Sequence, residues 1–305
     1  MAGMYVITGA TGNIGRAIAE TLLTQGQPVR VIGRDAAKLQ ALVDRGAQAR
    51  AGSLDDAAFL REAFAGATAV FVMTPPAYTA EDVRARANEV GAVVGEALAA
   101  NKVTHVVHLS SLGADLLEGT GPVLGVHDQE ERLAKIEGLN VLNLRPTFFM
   151  ENLLGNVGLI QSAGINGGPL RADLSFPLIA TRDVAAVAVE ELTRREFTGS
   201  SHRVLLGAED HTMADITRKI GQAIGKPDLA YVQFPYDQAT EAMVGMGLSR
   251  DMAQAMVDLN RSMNEERGIK ALPRDERSAT PTTIDQFIDQ VFVPVFRGSQ
   301  QAAAS

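Results

Sequence analysis

Three glycines, Gly9, Gly12 and Gly15, follow directly on the short β-forming run Met4 to Thr8 and open a helix-compatible stretch from Asn13 to Gln25. Strand, glycine turn and helix in that order let a backbone approach a ligand closely. The start of the helix offers free N–H groups and the positive end of its dipole to an anion. A diphosphate suits such a cradle. Glycines also make empty turns, so the motif alone leaves both readings open, and its context must decide.

That context is a repeated alternation of strand-like and helical segments. "PVRVIG" at 28–33, "AQARAG" at 47–52, "TAVFVM" at 68–73, "VTHVVHLSS" at 103–111 and "LNVLNLRP" at 139–146 read as strands. Helical periods lie near Ala36 to Arg45, Asp56 to Phe64, Glu81 to Ala100 and 126–137. Such alternation predicts an α/β fold, a doubly wound parallel sheet of the Rossmann kind with helices on both faces. Ligands bind beyond the carboxyl ends of such strands, where the strand order reverses, and the glycine turn sits there on strand one. Motif and fold together point to a dinucleotide.

Beyond Pro146 the pattern loosens. Helices are expected at Phe149 to Ala163, 184–195, Met213 to Ile224 and, in Met-rich segments, from Gln238 to about Glu266, with strands "HRVLLG" and "LAYVQFP" between them. The expected organisation is a nucleotide-binding domain over 1–150 and a smaller α/β substrate lobe over 151–297. The lobe's last helix, Thr282 to Phe292, docks back on the first domain, and 298–305 is a disordered end.

At 305 residues and 46% hydrophobic, the chain can bury a large core. A formal net charge of −8 disfavours nucleic acid and anionic membranes as partners, whereas a small anionic ligand needs only a local basic pocket. With no cysteine, thiolate catalysis, disulfides and cysteine metal sites are excluded. The histidines are scattered, and no metal site is expected. Strand one begins within a few residues of Met1, and the longest uncharged stretch, Ala63 to Ala80, is interrupted by Gly66 and Pro75-Pro76. A cytoplasmic protein is therefore expected.

The end of strand two selects the cofactor. NAD-binding folds usually carry an acid there for the adenosine ribose, and NADP-binding folds an arginine for the 2′-phosphate. Here Gly33 stands where the acid is expected, followed by Arg34, Asp35 and, one turn on, Lys38. A guanidinium matches phosphate bidentately and Lys38 adds a point charge, so NADP(H) is favoured over NAD, with Asp35 the contrary sign.

Together, "TGATGNIGR", "VIGRD", "HLSSLGA" at 108–114 and "LRPTFFMEN" at 144–152 resemble the NmrA-like branch of the atypical short-chain dehydrogenase/reductases, over most of the chain from Met4 to the Thr282 helix. That branch includes type 2 quinone oxidoreductases, triphenylmethane reductase and NADP-sensing regulators. The resemblance implies that Gly9, Thr11, Gly12, Asn13 and Ile14 line the diphosphate and Arg34 the 2′-phosphate. Ser53 and Leu54 would flank adenine, Met73, Thr74 and Pro75 the second ribose, and Pro146, Thr147 and Phe148 the nicotinamide.

The chain departs from the wider pattern twice. The adenine loop, often Gly-Asp, is Gly52-Ser53. The Tyr-x-x-x-Lys pair that protonates an alkoxide is absent, and His127 and Glu131 stand at its spacing in "GVHDQEERL". A positioned acid contributes roughly 10²–10⁴-fold, which a simple ketone needs. A quinone, a conjugated iminium or a triarylmethyl cation takes hydride into a delocalised system, so proximity and orientation can suffice. The expected function is thus an NADPH-dependent oxidoreductase, quinone reductase-like (EC 1.6.5), acting on a conjugated, aromatic or quinone-like small molecule. His127 is the candidate proton donor, as against a histidine bonded to loop backbone, and Ser110 the candidate orienting hydroxyl. Phe149 and Asn152 are the candidate substrate wall, as against plain core. A homodimer is compatible with the chain. The alternative function is an NADPH-binding redox sensor that docks to a regulatory protein partner, which the missing tyrosine and lysine fit equally. A sugar-nucleotide epimerase is disfavoured for want of the acid/base pair.

Overall fold

The computed structural model describes residues 3–267 and 272–304. Seven strands form its central sheet: β1 (Met4–Ile7), β2 (Val29–Gly33), β3 (Gln48–Ala51), β4 (Ala67–Met73), β5 (His105–Leu109), β6 (Asn140–Pro146) and, later in the chain, β10 (Ser200–Leu205). Their order is β10-β6-β5-β4-β1-β2-β3, and every neighbouring pair is parallel. The chain starts in the interior at β1, runs out through β2 to β3, and returns to build the other side from β4. Parallel connections place helices on both faces. On one lie α1 (Asn13–Thr24), α2 (Ala36–Val43) and α7 (Thr181–Arg194), and on the other α3 (Ala57–Ala63), α4 (Val83–Ala100) and α5 (Val123–Leu133). Ile18 and Leu22 of α1 and Leu60 of α3 are fully buried against the sheet. Each such side chain contributes roughly 1.5–3 kcal/mol. Asp35, Asp56 and Asp82 accept hydrogen bonds from the first-turn amides of α2, α3 and α4, which fixes where each helix begins.

A second layer stands over the carboxyl ends of these strands. Its three-stranded sheet has the order β11 (Asp210–Thr212), β9 (Ser175–Ile179), β7 (Phe148–Phe149), and β8 (Ile165–Gly168) pairs with β12 (Ala230–Gln233). Around Phe176, Phe287 and Phe292 gather α6 (Val157–Ala163), α8 (Met213–Ala223), α11 (Ile284–Phe287), a π-helical turn at Ile288–Phe292 and α12 (Val293–Ala304). The pair α9 (Tyr236–Gly245) and α10 (Arg250–Asn264) completes the layer.

Two boundaries differ from expectation. Residues 181–205 fall inside the span 151–297 read as a separate lobe, yet α7 packs on α1 and β10 pairs with β6 from Ser200 to Leu205. "HRVLLG" is a strand in either layer, and only its pairing partner decides which. The end 298–305, read as disordered, continues α12 to Ala304; Ser305 lies outside the described residues. Among the described residues no helix is long and apolar enough to cross a membrane, and Ala63 to Ala80 divides into the end of α3, β4 and a loop.

Candidate active site

The crevice opens between β1 and β4, the neighbours from which the chain departs in opposite directions. Thr8 holds it in shape. Its buried hydroxyl donates to the Phe71 carbonyl at 3.0 Å and accepts from the Met73 amide at 3.2 Å, so the ends of the two strands are stitched together. The chain then turns at Gly9 with φ +63°, a left-handed conformation that glycine adopts without strain. A Cβ at Gly15 would lie 2.4 Å from the Gly9 carbonyl, so that glycine seats α1 tightly on the turn. At Gly12, the residue preceding α1, a Cβ would meet only the Gly9 oxygen, at 3.5 Å, and would project into the cleft wall. The first bond of α1 runs from the Arg16 amide to the Gly12 carbonyl, leaving the amides of Asn13, Ile14 and Gly15 without an intrahelical partner. Gly9, Thr11 and Gly12 line a cavity of about 660 Å³ at this point. A cradle that a side chain would fill, with three amides at a helix start, fits a diphosphate.

The same cavity runs past Arg34 on one rim and Ser53 and Leu54 on the other. A Cβ at Gly33 would stand 3.0 Å from the Thr11 methyl, so a carboxylate side chain at the end of β2 has little room. Asp35 is committed elsewhere: its carboxylate accepts from the Ala37 amide at 2.9 Å and from the Lys38 amide at 3.4 Å. The apparent counter-sign to NADP is thus a helix cap, and Arg34 beside it lines the cavity. Lys38 is exposed on α2 and does not line the cavity. Asn13 is exposed at the helix start and Ile14 packs its side chain into the core, so these two can offer only backbone there. Asp55 and Arg86 complete this rim as an ion pair, with Arg86 also 2.9 Å from Glu89. Ser53 and Arg86 hold the Asp55 carboxyl below its usual range.

Past Met73 and Pro75 the cleft continues. Thr74, Ser111, Val126 and Met256 are shared by two smaller cavities of about 260 and 300 Å³, the former joined to the large one through Pro75 to Tyr78. The cavity of about 300 Å³ is walled by Pro146, Thr147, Phe148, Phe149 and Asn152 after β6, by Ser110 after β5, and by Phe176. Glu151 fixes the post-β6 turn by accepting from the Thr181 amide at 3.0 and 3.1 Å and from its hydroxyl at 2.5 Å. The opposite wall is α10, through Met256, Leu259, Asn260 and Met263. This helix is tied to the loop after β4 by bonds from Ser249 N–H to the Tyr78 carbonyl and from Val83 N–H to Asp251, both 2.8 Å. Two hydroxyls in the cavity wall, Thr120 and Thr147, are buried and have no hydrogen-bond partner among the described residues.

The two groups assigned to proton chemistry stand differently. His127 is outside the cavity wall, with Nδ1 2.7 Å from the Ala114 carbonyl, so Nδ1 carries the proton and anchors the loop after β5. Its neighbour Val126 lines the cavity, while the His127 ring serves the loop, which is the alternative set against a proton donor. Ser110 does line the cavity, but its hydroxyl donates to the Glu130 carboxylate, which Arg145 grips at 2.6 and 3.0 Å. With its proton so held, Ser110 turns lone pairs and not a donor to a ligand. His108, bonded to Asn143 at 2.9 Å, is wholly buried, and burial pushes its pKa down despite the opposing effects of Asn143 and Glu130.

The wall formed by α10, with Phe176 and Thr120, has no local sequence sign. The spacing of 256, 259, 260 and 263 marks one helix face, but any amphipathic helix has one, and which surface it covers depends on contacts far along the chain.

An NmrA-like family model matches residues 2–292. The chain is 33% identical over 258 residues to an NAD(P)H azoreductase of Xenophilus azovorans, covering 84% of this chain and 86% of that one. In fold it is similar to an NADPH-dependent quinone oxidoreductase of Escherichia coli crystallised with NADPH, with a TM-score of 0.77 at 23% identity over 95% of this chain and 99% of that one. It is similar too to the triphenylmethane reductase of Citrobacter sp. complexed with NADP(H), with a TM-score of 0.77 at 19% identity over 94% and 99%.

Proposed function

Because the chain belongs to the NmrA-like family, we propose that it is an NAD(P)H-dependent oxidoreductase, using NADPH, that delivers hydride to a conjugated small-molecule acceptor without an acid/base pair of its own. One observation carries this reading. A nucleotide-sized cleft with a diphosphate cradle and Arg34 on its rim is followed, across a small cavity that shares walls with both, by an apolar chamber walled by Phe148, Phe149 and α10. The azo, quinone and triphenylmethane substrates that the related proteins are named for share a delocalised electron-poor centre.

When bound, the reduced nicotinamide supplies a hydride. The chain's own residues do the rest. The free amides at the start of α1 and Arg34 hold the phosphates, and the turn after β6, clamped by Glu151, holds the aromatic wall against the ring end of the cleft. Phe149 and Asn152 orient a flat acceptor at near-attack distance while the chamber excludes water. A quinone so reduced leaves as a phenolate, a weak enough base for solvent to protonate, so His127 is dispensable.

The test is NADPH oxidation measured against quinones, azo dyes and triarylmethane dyes, with NADH in parallel. The reading requires turnover of at least one class, a preference for NADPH and a strong loss in Phe149→Ala. Tight NADPH binding with no turnover, and a protein partner whose affinity depends on the redox state of the nucleotide, would instead identify a sensor.

A further inference from the structure

The wall that α10 gives the chamber ends in a cation. Met256, Leu259, Asn260 and Met263 follow the spacing of one helix face, and Arg267, a turn further on, lines the same cavity. Its place is fixed by the way the helix stops. Glu266 adopts φ +58°, a left-handed conformation usual for glycine, and the amides of Glu266 and Arg267 return to the carbonyls of Met263 and Ser262 at 2.8 and 2.9 Å. The loop before α5 makes room for the guanidinium: a Cβ at Gly119 would lie 2.5 Å from Arg267 Nη1. The same loop touches α10 directly, since a Cβ at Gly121 would collide with the Ala255 carbonyl. Among the described residues one carboxylate, the half-exposed Glu265, pairs with Arg267, at 3.5 Å from Nε, which leaves Nη1 and Nη2 to bind an oxyanion end-on in two bonds.

On the reading of the chamber as the acceptor site, we propose that Arg267 is an anion subsite, so that the preferred acceptors are conjugated rings carrying a sulfonate, carboxylate or phosphate. The rings lie among Phe148, Phe149 and Met263, and the anionic group reaches the mouth at Arg267. A chain of net charge −8 repels anions at long range, so a locally placed guanidinium is what admits them.

Naphthoquinone and naphthoquinone sulfonate, compared in wild type, Arg267→Gln and Arg267→Lys at saturating NADPH, test this. Arg267→Gln is expected to raise KM for the sulfonate about tenfold with little change in kcat, and to leave the neutral quinone unaffected. Arg267→Lys should recover part of the loss, and added salt should raise KM for the sulfonate alone. Equal losses on both quinones, or none on either, overturn the subsite. Binding of naphthalene sulfonate to the NADP-loaded protein separates the two claims. Binding that weakens in Arg267→Gln, with no quinone reduced by any variant, leaves the subsite standing and the reductase reading refuted. Reduction of both quinones indifferent to Arg267 does the reverse.

Discussion

Gly12 and Gly15 belong to one motif, and the structure assigns them opposite duties that substitution can separate. At Gly12 the backbone is extended, with φ −92° and ψ 171°, which any residue adopts, and the nearest protein atom to an added Cβ is 3.5 Å away. Gly12→Val should therefore cost only the difference in helix-capping preference, about 0.5–1 kcal/mol, or about 2 °C in Tm for a chain of this size. Its methyl groups, however, fill the cradle. Losing two charge-assisted amide contacts at about 1.5–3 kcal/mol each weakens NADPH binding by at least about a hundredfold. At Gly15 an added Cβ meets backbone oxygens at 2.4 Å (Gly9) and 3.0 Å (Thr8), neither of which can rotate away, so α1 must move off the turn. The overpacking cost outweighs alanine's better helix propensity, and Gly15→Ala should lose roughly 2 kcal/mol, or about 4–8 °C. Thermal melts and titration by nicotinamide fluorescence read the two effects apart. A Gly12→Val protein that melts as early as Gly15→Ala, or that binds NADPH within about threefold of wild type, would refute the division of labour.

Arg34→Ala should weaken NADPH by roughly 10- to 100-fold, one charge-assisted contact, and leave NADH unchanged; calorimetric titration with both nucleotides decides it. His127→Gln should keep kcat within about threefold at every pH, because the imidazole serves the Ala114 carbonyl and not the acceptor; a lost limb in the pH profile of kcat would restore it as an acid. The Asp128 carboxyl is held at about 2 by Arg84, whose bonds of 2.7 and 2.8 Å outweigh burial, with Asn88 adding a third bond at 2.7 Å. A depressed carboxyl pKa gives stability that is present above the unfolded value near 4 and lost as pH falls through the folded one. The Tm gap between wild type and Asp128→Asn should be constant above about pH 5 and close between about pH 4 and 2; a gap independent of pH contradicts the clamp.

The sequence by itself determined β1 to β6 of the first layer, with the helices between them, and the glycine turn after β1. Those features are local: a glycine turn between "MYVIT" and a helix, an arginine after β2 and alternating strand and helix periods depend on neighbours a few residues away. Tertiary structure decided everything that depends on which surfaces meet. It took β10 and α7 from the second layer into the first, because a half-buried strand pairs with whatever edge is offered, here β6. Asp35 became a helix cap and His127 a loop anchor, since a side chain's partner at 2.7–2.9 Å is set by backbone geometry that residue identity does not specify. The reacting chamber itself exists because α10, more than a hundred residues beyond β6, lies across the strand ends, and the sequence distance between Phe149 and Arg267 hides that they face one cavity.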